Sequence, residues 1–124
     1  LLWLRGAHGR VPIADRLRAA GQDATEAVIY DQHARPMSAA ARAALAGPAP
    51  VILPLFSPRT AQLVSTEAAG ARAPLALATL SPAVTAGWQA PAPRLLREAP
   101  RPDQPAMMAA LDTLLPEVEV LSRQ

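Results

Sequence analysis

Apolar residues in this chain fall in short unbroken runs, and each run gives way to a stretch with helical spacing. The runs are LLWLR (1–5), AVIY (27–30), VILPLF (51–56), LALATL (75–80) and, more weakly, RLLRE (94–98). Runs without polar alternation are expected of strands covered on both faces, as in a parallel sheet. The stretches that follow them predict helices over 12–20, 38–45, 58–69, 82–88 and 105–115. Gly21 suits the position just past the first helix, Gly47-Pro48 stops the second and Gly70 closes the third. Asp103 is available to cap the last helix, Pro116 to terminate it, and EVEVLSRQ (117–124) reads as a frayed tail. Pro54 is awkward inside its run, because proline donates nothing to a ladder; an edge position or a bulge would accommodate it.

Strand and helix thus alternate five times, which argues a parallel sheet with helices on both faces, in one domain spanning 1–124. Five strands wound in this way favour the order 2-1-3-4-5, with ligands held outside the carboxyl ends of the strands. Segments 6–10, 30–35, 57–60 and 81–84 would then share a single rim.

Two of the runs stop on the same pair of residues, Ser57-Pro58 and Ser81-Pro82. A serine before a helix accepts a hydrogen bond from its first turn, and proline at the first helical position gives up an amide that had no partner there. The remaining amides and the positive end of the helix dipole suit a carboxylate or phosphate. Plain capping accounts for either copy alone. Two copies on neighbouring strands, with Arg59 and Thr60 beside the first, make an anion seat an equal reading.

Composition narrows the chemistry. All 12 cationic residues are Arg, they are scattered, and aromatics are only 3%, so nucleic acid is not an expected partner. Small anions stay open, because the guanidinium matches a carboxylate well. With no cysteine, disulfides, thiolate metal sites and a cysteine nucleophile are excluded. RGAHGR (5–10) is neither a dinucleotide fingerprint nor a P-loop. His8 and His33 lack further ligands at metal spacing and read as solvated loop residues, so no metal and no cofactor is expected. Ser57 is not in a nucleophile elbow. Tyr30, the only tyrosine, ends a strand on the rim, where its hydroxyl could give a proton to a leaving group. No run approaches the ~20 apolar residues of a membrane span, and a cytoplasmic protein is expected. The chain opens on Leu1-Leu2-Trp3 without an initiator methionine, as expected of a piece of a longer protein.

In order and spacing, LLWLRGAHGRVPIADRLRAAGQDATEAVIYD, VILPLFSPRTAQLV, LALATLSPAVTAGW and EAPRPDQPAMMAAL together resemble the carboxy-terminal half of uroporphyrinogen-III synthase, over essentially all 124 residues. The resemblance implies flavodoxin-like lobes, residues up to about 30 belonging to one and those from about 34 to the other. It implies a cofactor-free lyase that eliminates the terminal hydroxyl of hydroxymethylbilane, inverts the last pyrrole ring and closes the macrocycle of haem biosynthesis. Tyr30 then matches the family's proposed proton donor. Arg5, Gly6, Arg10, Ser57, Arg59, Thr60, Ser81, Ala83 and Val84 match the segments that hold the polycarboxylate tetrapyrrole. Two departures stand out. Asp31 occupies a position where arginine is common, and Ala83 and Val84 replace hydroxyl residues, leaving Ser81 and backbone donors there. With half a cleft, the chain by itself is expected to turn over negligibly, as a monomer or a swapped dimer. The competing expectation is a catalytically inert binding or regulatory domain on the same fold, since fold alone does not choose.

Overall fold

A computed structural model describes residues 1–8, 11–89 and 91–123. The chain divides into two compact units, Leu1–Arg35 and Pro36–Gln124.

The first unit is β1 (Leu2–Gly6), α1 (Ile13–Ala19) and β2 (Thr25–Tyr30), with the two strands parallel. Helix α1 ends as Gly21 predicts: its φ is +79°, its amide bonds Arg18 O at 2.9 Å, and the next amide, of Gln22, bonds Leu17 O at 3.0 Å. That paired closure needs a left-handed residue, which glycine supplies without steric cost. A two-stranded sheet with one helix has little surface to pack against itself. Leu2, Leu4, Val28 and Tyr30 are accordingly each more than half exposed.

The second unit holds α2 (Ala39–Ala46), β3 (Val51–Leu55), α3 (Pro58–Glu67), β4 (Leu75–Thr79), α4 (Pro82–Gly87), β5 (Leu95–Glu98) and α5 (Gln104–Leu121). Its strands form a parallel sheet in the order β3-β4-β5. The central strand β4 is buried at all five positions, which is why its sequence shows no polar alternation. Leu75 and Leu77 point to one face, against Leu45 of α2, Ala61 and Ala68 of the α3 segment and Val84 of α4. Ala76 and Ala78 point to the other, where their small side chains admit Met107 and Leu114 of α5.

The protein is therefore an α/β structure of parallel strands, but in two sheets rather than the single five-stranded sheet of order 2-1-3-4-5. Pro54 lies on β3, the outer strand next to β4, where the missing amide costs no ladder bond. The same residue blunts that edge as a template for a further strand.

Pro116 does not terminate the last helix: α5 continues through it to Leu121, so 117–121 is helix rather than tail. Val118 packs against the core beyond the proline, and Glu117 pairs with Arg97 of β5. Tertiary contacts on both sides outweigh the loss of one intrahelical bond. Helix α3 stops at Glu67, and Gly70 does not close it in a left-handed turn.

Candidate functional site

In the first unit the expected site residues meet at the carboxyl ends of β1 and β2. Alternation along β1 puts Leu2, Leu4 and Gly6 on one face and Trp3 and Arg5 on the other. A register shift after Arg5 pairs Gly6 with Tyr30, skipping Ile29. The Tyr30 ring consequently lies where a side chain on Gly6 would sit: an added Cβ would meet Tyr30 Cε2 at 2.6 Å. The irregularity turns Tyr30 onto the face of Leu2 and Leu4, with more than half of the residue exposed.

Arg5 is committed within its own unit. Its guanidinium donates to Gly6 O at 3.1 Å and Glu26 Oε1 at 3.0 Å, and it lies 5.9 Å from the centroid of the Trp3 ring. A cavity of about 480 Å³ on this side is lined by Trp3, Arg5, Glu26 and Asp15, so two carboxylates accompany the arginine. Arg10, the other cation expected here, lies outside the described residues. Asp31, the acidic departure, carries His8 Nε2 at 3.1 Å from one carboxylate oxygen and His33 Nε2 at 3.4 Å from the other. The two histidines expected to be solvated loop residues thus flank one acid next to Tyr30. Among the described residues no group of three or more such side chains could hold a metal ion.

In the second unit both Ser-Pro turns stand at the same end of the sheet, because Leu55 and Thr79, the last residues of β3 and β4, are paired in parallel. Ser57 caps α3: its hydroxyl accepts from Thr60 N at 3.1 Å and donates to Thr60 Oγ1 at 2.8 Å. With the Ser57 proton spent, Thr60 is the hydroxyl left with a proton to offer outward. The amide of Ala61 bonds Ser57 O at 2.9 Å and Pro58 has none. Arg59 is half-buried, with Nη1 shielded from solvent. The first turn of α3 therefore retains fewer open amides than a bare helix end would.

Ser81 begins α4 without a side-chain cap bond. Val84 and Thr85 donate their amides to Ser81 O, and the Val84 side chain is buried beside Leu55, Ala61 and Leu77. Val84 thus serves the core, and Ala83, second in α4 and exposed, has an amide with no carbonyl four residues back inside the helix. Replacing Ser57 by alanine is expected to cost about 1 kcal/mol through the lost cap. Chemical denaturation of the variant, with an unchanged slope and a lower midpoint, checks it.

One cluster here was not read from the sequence. Thr79, fully buried, shares a 2.6 Å hydrogen bond with Thr85 Oγ1, which donates to Glu98 Oε2 at 2.7 Å. Thr79 and Glu98 are paired across β4 and β5, so both side chains reach the face that α4 covers. A threonine in phase with Leu75 and Leu77 is the signal, since a hydroxyl on the core face needs a partner.

No protein-family model, curated protein or solved structure matches the chain. What the residues can do chemically is therefore read from their geometry. The second unit offers hydroxyls, an amide and Arg59 at one sheet end; the first offers a phenol beside a His–Asp–His group.

Proposed function

We propose that the chain is part of a uroporphyrinogen-III synthase, which closes hydroxymethylbilane with inversion of its terminal pyrrole ring. The observation that carries this reading is the pair of Ser-Pro turns at the carboxyl ends of adjacent parallel strands. Such turns suit the acetate and propionate groups of a linear tetrapyrrole, taken by Thr60, Arg59, Ser81 and the Ala83 amide. Tyr30 gives its proton to the terminal hydroxyl as the C–O bond breaks, and water departs. The proton lost from the ring carbon after closure restores the balance. The separation of Leu1–Arg35 from the rest supports the reading, because the resemblance implies a lobe boundary between about 30 and 34. On the same reading each lobe is flavodoxin-like and acts in the cytoplasm.

The second reading, an inert binding or regulatory domain of this fold, is favoured by one feature: Ser57 and Arg5 are already engaged by the protein's own groups. Incubation with hydroxymethylbilane, resolving the product into isomers I and III, separates the two. Residues 1–124 alone are expected to bind the bilane with negligible turnover, and to form isomer III when the complementary lobe is supplied. Tyr30→Phe is then expected to keep binding and slow closure. Failure of 1–124 to bind the bilane overturns the synthase and leaves the inert domain.

A further inference from the structure

Glu98 differs from the other acidic side chains of the sheet end. Arg97 beside it turns to Glu117, and Glu98 makes no ion pair among the described residues. What holds it is a chain of hydroxyls rooted in the core: buried Thr79, then Thr85, then the carboxylate. Thr85 has one proton, and Glu98 at 2.7 Å takes it in preference to Ser81 O at 3.4 Å. With the Thr85 proton given to Glu98 Oε2, the Thr79 proton goes to Thr85 and every donor points toward the acid. The chain fixes Oε2 and commits nothing to Oε1. An exposed carboxylate is thereby held at the carboxyl end of β5, without a neutralising cation among the described residues.

We propose that Glu98 is a binding residue for ligand N–H groups. Resting on the synthase reading, these are the pyrrole N–H groups of the tetrapyrrole. The division of labour is electrostatic: Arg59, Thr60 and the Ala83 amide take the substrate's acids, and Glu98 takes the nitrogens between them. Thr85 is its positioning residue. A carboxylate here also repels a misplaced acetate or propionate, so it selects the face on which the rings lie.

The sign of one substitution decides between attraction and repulsion. Residues 1–124 are titrated under reducing, anaerobic conditions with uroporphyrinogen III, and binding is read by calorimetry. Glu98→Gln is expected to weaken binding about tenfold, as for a lost charge-assisted hydrogen bond. Thr85→Val is expected to weaken it by less, Thr85→Ser to restore it, and Glu119→Gln, on the exposed side of α5, to leave it unchanged. If Glu98→Gln binds as well as the wild type or more tightly, the carboxylate is neutral or repulsive and the proposal falls while the synthase reading stands. If the wild type does not bind the probe, both fall. Should Glu98→Gln fail to fold, the Thr85→Val and Thr85→Ser pair decides instead: a weaker valine variant supports the proposal, and equal affinities overturn it.

Discussion

Gly87→Ala is expected to destabilise the second unit by about 1–2 kcal/mol, although alanine is the better helix former. Gly87 is the last residue of α4, and a Cβ there would lie 2.6 Å from Pro58 O and 3.0 Å from Pro58 Cα. Those are backbone atoms at the first turn of α3, and no rotamer change can move them aside. Propensity favours alanine by up to about 1 kcal/mol, and less at a helix end. Overpacking of this kind costs about 1–3 kcal/mol, so the clash wins. The helices must separate, which shifts the Ser57-Pro58 turn relative to Ser81. Urea unfolding followed by circular dichroism is expected to show a lower midpoint. An unchanged midpoint would mean that α3 and α4 do not meet at this point.

Pro116→Ala is expected to act in the opposite direction, raising stability by about 2 kcal/mol. Proline inside a helix costs about 3 kcal/mol against alanine, because it removes an amide and crowds the carbonyl four residues back. Pro116 is exposed and sits within α5, so alanine can restore the bond to Asp112 without disturbing the core. Part of the gain, about 0.4–1 kcal/mol, is returned because proline also restricts the unfolded chain. For a unit of this size each kcal/mol moves the melting temperature by roughly 4–8 °C. A melting temperature at or below that of the wild type would instead show that the proline sets the course by which Val118 and Glu117 reach the sheet.

The same proline marks where local sequence rules give way to packing. Locally, Pro116 is a helix terminator. Only the packing of Val118 and the Arg97–Glu117 pair, formed between residues about twenty apart in sequence, carries the helix onward. Pro54 went the other way. Its chemistry already required an edge or a bulge, and β3 is an outer strand. The Ser57 cap, the Asp103 cap and the Gly21 closure were legible because each depends on a few neighbouring residues, whereas Ser38, read as the first residue of its helix, caps α2 from outside it.

The candidate site was legible in its positions more than in its donors. That Ser57 and Ser81 stand at one end of the sheet follows from two parallel strands each ending in Ser-Pro. That Ser57 spends its proton on Thr60, that Val84 is core, and that Asp31 lies between His8 and His33 are side-chain choices made after the chain has folded. Alternation of apolar runs and helical stretches determined a parallel α/β protein and the place of its helix starts, because those depend on period and capping. The break into two sheets and the Thr79–Thr85–Glu98 chain were decided by tertiary structure. The reason is physical: they depend on which distant groups remain unsatisfied once the local elements have formed.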